Sequence, residues 1–138
     1  MPCPRPLDEG TLAHHAARVA VPGYDRAALG RGVVHISGGS FHRAHQAVYF
    51  DALARIGLGD GWALTGVGLH RRGMKEALAP QDGLYTVAER SDAGDRARVV
   101  GAITRYLYAP EEMAAVHDAL VDDATRLVTL TVTADGYA

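Results

Sequence analysis

Apolar residues along the chain fall into two alternating rhythms, short aliphatic runs and helically spaced stripes, and this alternation predicts an α/β fold. The first run is Val33–Ile36. After a Ser37-Gly38-Gly39-Ser40 turn, Phe41, Ala44, Val48, Ala52, Leu53 and Ile56 recur at helical spacing until Gly57-Leu58-Gly59 ends the pattern. Residues 62–69 (WALTGVGL) form a second apolar run of the kind that suits a buried parallel strand. A helix is expected over 72–79, stopped by Pro80. Residues 84–89 and 98–108 read as two strands around the Ser91-Asp92-Ala93-Gly94-Asp95 turn, a β-hairpin insertion. Residues 111–121 are helical, with Pro110 just ahead of them where proline is tolerated, and 125–133 (TRLVTLTVT) is the last strand. Strands alternating with helices predict a parallel sheet with flanking helices and right-handed crossovers.

Upstream of this pattern, residues 1–31 carry four prolines, the His14-His15 pair and a GYDR turn. They are expected to form an N-terminal arm with a short helix near Thr11 to Val19, leaving 32–138 as the α/β domain. A chain of 138 residues has room for about one domain with a real core. Its 48% hydrophobic and 22% charged content is that of a folded, soluble protein. A net charge of −2 gives no electrostatic reason to expect nucleic acid or an anionic membrane as partner. Lys75 is the sole lysine among 14 basic residues, a bias that, beside the abundant Ala and Gly, reads as GC-rich coding. Cys3 is the sole cysteine, so disulfide frameworks and cysteine zinc sites are excluded and a reducing compartment fits. With no apolar signal core in the first thirty residues and no run of about 18 apolar residues, a cytoplasmic location is expected.

The order strand, glycine turn, helix is how a protein sets a helix N-terminus against a phosphate. Aligned on the dinucleotide fingerprint G-x-G-x-x-G, the chain offers Ser37, Gly39 and His42, so the middle glycine alone matches. Gly-Gly turns also occur wherever the backbone needs positive φ, and spacing alone leaves both readings open. After the second strand come His70, Arg71 and Arg72, with no carboxylate before Glu76. An NAD-preferring site carries an acid there, whereas Arg71 and Arg72 suit a 2′-phosphate and hence NADP, unless they are simply solvated. His42 and His45, spaced i, i+3, share a helix face as zinc ligands do, but no third ligand accompanies them and Asp51 faces elsewhere; no metal is expected. His42 and Arg43 suit an anion or the turn itself. His35 is expected to be buried with a satisfied hydrogen bond, and His14, His15 and His117 to be structural or solvated. No acid–base centre is visible: Lys75 falls on a short polar helix, and Tyr49, Tyr85, Tyr106 and Tyr108 are scattered.

The segments VVHISGGSFHRAHQAVYFDAL, GWALTGVGL, APQDGLYTVAER, VVGAITRYLYAP and TRLVTLTVTADGY resemble, in order and spacing, the start of the polyol-specific long-chain dehydrogenases, the mannitol dehydrogenase family. FHRAHQ after the turn is the most specific mark, and the resemblance runs from Gly32 to Tyr137. It implies an incomplete Rossmann-type domain, the N-terminal part only, of a zinc-free oxidoreductase that uses NAD or NADP. The implied reaction interconverts polyols and ketoses such as mannitol and fructose, or related hexuronate pairs, so the implied partner is a small-molecule polyol or ketose. The implied cofactor contacts are Ser37, Gly38, Gly39, Ser40, Phe41, His42 and Arg43, with Arg71 and Arg72 beyond the second strand. Three departures stand out. The family usually has glycine at the position of Ser37, a change that is tolerable if that φ is not strongly positive. The segment between Leu69 and Gln81 is shorter than expected and lacks the acidic ribose-binding residue. The catalytic lysine, with its asparagine and histidine, lies downstream of anything present, so no catalytic residue is assigned. The alternative is a non-catalytic truncated fragment that binds nucleotide weakly or not at all.

Overall fold

The computed structural model describes residues 5–137, so Pro2, Cys3 and Pro4 lie outside the described residues. Where β-branched and aliphatic residues cluster, strands form: β1 (Val33–Ile36), β2 (Leu64–Gly68), β3 (Tyr85–Ser91), β4 (Gly94–Val100), β5 (Ile103–Tyr108) and β6 (Leu127–Leu130). Between them lie helices α1 (Leu12–His15), α2 (Ala47–Arg55), α3 (Gly73–Leu78) and α4 (Ala109–Val121). Four strands make a parallel sheet in the order β5-β2-β1-β6. The chain builds outward from β1 through β2 to β5, then returns to set β6 on the other side of β1. Strand order therefore reverses between β1 and β6, the topological switch point at which α/β sheets open a crevice. β3 and β4 pair antiparallel as a separate hairpin. None of the described helices is long and apolar enough to cross a membrane.

Alternation along each strand sorts the core into two layers. Val33, Leu64 and Ile103 face Ala47 of α2, Leu78 of α3, and Tyr85 and Val100 of the hairpin. Val34, Val67 and Leu107 turn the other way, onto Ala109, Val116 and Ala119 of α4. β6 is the exception. Leu127, Val128 and Leu130 are exposed, and among the described residues β6 pairs with β1 alone.

Two expectations are corrected here. Residues 98–108 are not one strand of the hairpin: β4 ends at Val100, and β5 joins the parallel sheet after Gly101-Ala102. The break follows from hydrogen bonding, because the Gly101 N–H is given to Asp51 Oδ1 at 2.9 Å and its carbonyl accepts Arg26 Nε at 2.9 Å. With both backbone groups taken by side chains, the ladder cannot continue. A side chain at Gly101 would also sit 2.7 Å from Pro22 Cγ. The helix expected near Thr11 to Val19 is a 3₁₀ turn (Glu9–Thr11) followed by the single turn of α1. Ala20 instead bridges to Arg98, and its carbonyl accepts the Val99 N–H at 2.8 Å.

Two buried charges sew residues 20–26 to the sheet. The fully buried Asp51 carboxylate accepts from the Tyr24 hydroxyl (2.5 Å), the Gly101 N–H and Arg55 Nε (2.6 Å). Arg55 also donates to the Val21 and Val99 carbonyls. Burial, reinforced by the bond to Asp51 and its charge, holds the Tyr24 hydroxyl well above the usual tyrosine range, so it stays a donor. Arg26 donates to the carbonyls of Gly101, Asp82 and Ile103. The buried carbonyls of Gly101 and Ile103 would otherwise lack this partner in the interior.

Candidate functional site

The helix that follows β1 runs over 40–55, but it is not α-helical throughout. His42–Gln46 is wound as a π-helix, in which the Ala47 N–H bonds to the His42 carbonyl, and α2 continues from there. The wider turn shifts the buried face. His42, Ala47, Asp51 and Ala54 point inward, while Phe41 is 65% and Ile56 70% exposed. The apolar stripe drawn from regular 3.6-residue spacing is therefore not the buried one. His42 and His45 are also separated, since His42 is buried whereas His45 is exposed and packs on Phe41 with ring centroids 4.8 Å apart. Among the described residues, no group of three or more His, Cys, Asp or Glu gathers as a metal site requires.

His42 goes inward because it finds partners there. Its ring stacks on that of His35 with centroids 3.7 Å apart and planes at 4°. His42 Nδ1 lies 2.8 Å from Gln46 Oε1, which also accepts from the Thr129 hydroxyl at 3.3 Å. His35 Nδ1 lies 2.7 Å from Thr129 Oγ1, and its Nε2 is 3.2 Å from both the Ser37 carbonyl and Thr131 Oγ1. The expectation for His35, a buried and satisfied histidine, matches this geometry. His42 Nε2 is buried with no partner among the described residues. Burial, with His35 alongside, pushes the His42 imidazole down to about 4 against the hydrogen bond to Gln46. Burial lowers His35 as well, opposed by the Ser37 carbonyl.

Both imidazoles are therefore neutral at pH 7, and the sign of their linkage is clear. Below the ordinary histidine value of 6.5 the unfolded chain takes up protons that the folded pair refuses. The pair's contribution is complete above about pH 6.5 and drains away as pH falls toward about 4, by roughly 3 kcal/mol for His42 alone. Urea midpoints at pH 7 and pH 4.5 measure this loss. It is expected to be shallower in His42→Asn, and equal pH slopes in the two proteins would remove the pair as its cause.

The turn itself is tight. The Ser37 N–H bonds to the Val67 carbonyl at 2.8 Å, and the Gly39 N–H folds back onto the Ser37 carbonyl at 2.7 Å. Ser37 has φ 77°, so the condition under which serine would replace glycine without strain is not met. Left-handed backbone costs a residue with a Cβ roughly 1–2 kcal/mol, and such strain gathers where a turn must present its backbone to something. Gly39 is open: a Cβ there would meet nothing nearer than the Ser37 carbonyl oxygen at 4.0 Å.

Two crevices flank this turn at the carboxyl ends of the strands. One, of about 370 Å³, is lined by Ser37, Gly38 and Gly39 of the turn, Gly68 of β2, Arg71 beyond it and Tyr106 of β5. The other, of about 420 Å³, opens at the switch point and is lined by Phe41, His42, Gln46, Thr129 and Thr131 with apolar neighbours. The expected contacts are thus divided. Ser37, Gly38, Gly39 and Arg71 meet in the first crevice, and Phe41 and His42 lie in the second. Ser40 and Arg43 turn to a third hollow, where the Arg43 guanidinium lies 5.8 Å over the Tyr85 ring and the Tyr85 hydroxyl donates to the Arg43 carbonyl. Arg72 lines none of the three; it pairs with Glu76 at 3.3 Å and Glu111 at 2.8 Å. Lys75 is likewise engaged, by Glu112.

Gln46, Thr129 and Thr131 were not among the expected contacts, and Tyr106 was set aside as one of several scattered tyrosines. The threonines carried a signal, because alternate residues of a strand share a face and Thr129 and Thr131 fall on the face that His35 occupies in the neighbouring strand. For Tyr106 the available signal was the pair of glycines in TGVG, which demands a large neighbour somewhere else.

A family model described as the mannitol dehydrogenase Rossmann domain matches residues 31–138. The mannitol 2-dehydrogenase of Cereibacter sphaeroides is 50% identical over 121 residues, covering 86% of this chain and 25% of the relative. That of Aspergillus niger is 46% identical over 129 residues, covering 91% and 26%. Among solved structures, Pseudomonas fluorescens mannitol 2-dehydrogenase in ternary complex with NAD and D-mannitol superposes with a TM-score of 0.88 at 40% identity, covering 95% of this chain and 27% of that one. A substrate-free D-sorbitol dehydrogenase superposes with a TM-score of 0.85 at 37% identity, covering 96% and 28%. The chain spans about a quarter of the length of the curated relatives it matches.

Proposed function

The chain belongs to the mannitol dehydrogenase family, and on that premise we propose that it carries the NAD(P)-binding part of an oxidoreductase acting on a secondary alcohol of a polyol or the matching ketose. The observation that carries this reading is the strained Ser37-Gly38-Gly39 turn at the end of β1, open at Gly39 and flanked by two crevices across the switch point. A phosphate needs close backbone approach and N–H donors: the open Gly39 gives the approach, and the N–H groups of the first helical turn, from Ser40 on, give the donors. The residues present fit a dinucleotide. Gly38 and Gly39 would hold its pyrophosphate, the Arg71 crevice its adenosine half and the Thr129–Thr131 crevice its nicotinamide half. When bound, the cofactor supplies hydride chemistry. This chain's own residues bind and orient it, and the neutral His35–His42 stack keeps the turn in place beneath it.

The first crevice supports a choice of cofactor. Among the described residues no carboxylate lines it, and Arg71 does. A guanidinium favours a phosphate over a free 2′-hydroxyl, so NADPH is expected to bind more tightly than NADH, by about tenfold or more. Fluorescence titration of the purified chain with each nucleotide tests both steps. Saturable binding supports the dinucleotide reading, and its absence with both nucleotides removes it. Arg71→Glu is expected to weaken NADPH while leaving NADH nearly unchanged. A wild-type preference for NADH would count against a 2′-phosphate at Arg71.

A further inference from the structure

Tyr106 occupies a slot that three glycines keep clear. A Cβ on Gly66 would lie 2.7 Å from its Cδ2, one on Gly68 2.9 Å from its hydroxyl oxygen, and one on Gly38 2.8 Å from its Cε2. Two of these glycines belong to β2 and the third to the turn, so separate segments omit side chains around a single ring. Packing accounts for the ring but not for the hydroxyl, since phenylalanine would fill the same slot. Two other tyrosines use theirs: the half-buried Tyr24 donates to Asp51 and the buried Tyr85 to the Arg43 carbonyl. Among the described residues the Tyr106 hydroxyl has no such bond; burial holds it above the ordinary tyrosine value, opposed by the nearby Arg43 charge. It therefore remains a protonated donor at neutral pH. The free space it borders is the crevice it lines together with Ser37, Gly38, Gly39 and Arg71.

We propose that the Tyr106 hydroxyl donates a hydrogen bond to an oxygen of the adenosine-diphosphate half of the dinucleotide. The inference rests on the dinucleotide reading of this crevice and adds a residue to it. Gly38 has no side chain to stand between the hydroxyl and a ligand on the turn, and Gly68 leaves the β2 side equally bare.

Tyr106→Phe keeps the ring and removes only the donor. Titrated in the full 138-residue chain, it is expected to weaken NADPH and ADP alike by about five- to tenfold, with an unchanged thermal midpoint. Adenosine separates the acceptors, being weakened too if the acceptor is a ribose oxygen and unaffected if it is a phosphate oxygen. Unchanged affinity for NADPH and ADP in the variant, beside normal wild-type binding, overturns the proposal while leaving the dinucleotide reading intact. A lowered midpoint with unchanged affinity does the same and assigns Tyr106 to packing alone. Failure of the wild-type chain to bind either nucleotide removes the dinucleotide reading and this inference with it.

Discussion

Asp51→Ala is expected to cost about 3–5 kcal/mol of folding stability, the range for breaking one side of a buried ion pair. The carboxylate has no exposure and three donors converge on it, from Tyr24, Gly101 and Arg55. Removing it leaves the Arg55 charge half-buried with its two carbonyl bonds alone, the Gly101 N–H unpaired, and the Tyr24 hydroxyl facing a void. A domain's whole stability is of the order of 5–15 kcal/mol, so much of this chain would unfold under mild conditions. Asp51→Asn keeps the shape and an acceptor oxygen but not the charge, and it is expected to fall between Ala and wild type. Urea unfolding followed by circular dichroism gives the three midpoints. A loss below about 1 kcal/mol for Asp51→Ala would show that the network is ornamental.

Gly39→Val is expected to do the opposite, leaving the fold intact and abolishing the ligand. Its φ lies outside the left-handed region, and a Cβ there meets open space, so the folded state has no reason to resist a side chain. A dinucleotide lying on the turn would meet the valine directly and be held off the N–H groups of the first helical turn. Two lost charge-assisted hydrogen bonds amount to about 3 kcal/mol or more, which is about a hundredfold or greater in Kd. The measurement pairs NADPH titration with a thermal midpoint. Unchanged affinity would mean that the phosphate does not approach Gly39. Gly38→Val is the informative contrast, because its Cβ would overlap the Tyr106 ring and the fold itself should suffer.

Much of the architecture was legible because it rests on local rules. The order of strands and helices, the parallel pairing and the position of Pro110 within the first turn of α4 all follow from periodicity and proline chemistry. What escaped depends on partners distant in sequence. The buried face of the helix after the turn is set by the π-wound segment and by His35 and Thr129, which no window over 41–56 contains. The strand break at Gly101 is set by Asp51 and Arg26. Arg71 and Arg72 read identically as adjacent cations. One lines the crevice and the other is claimed by Glu111 on α4, a difference made by tertiary structure alone.

The bare side of β6 bears on how the molecule meets other extended chains. Its backbone groups pair with β1 alone, and Leu127, Val128 and Leu130 are 40%, 44% and 60% exposed beside that edge. Neither a proline nor a lysine interrupts residues 126–133, so nothing there blunts the approach of another extended segment. Such an edge is a template on which another extended segment can pair. Where that edge takes up a partner, folding and association become linked, and the melting temperature then depends on concentration.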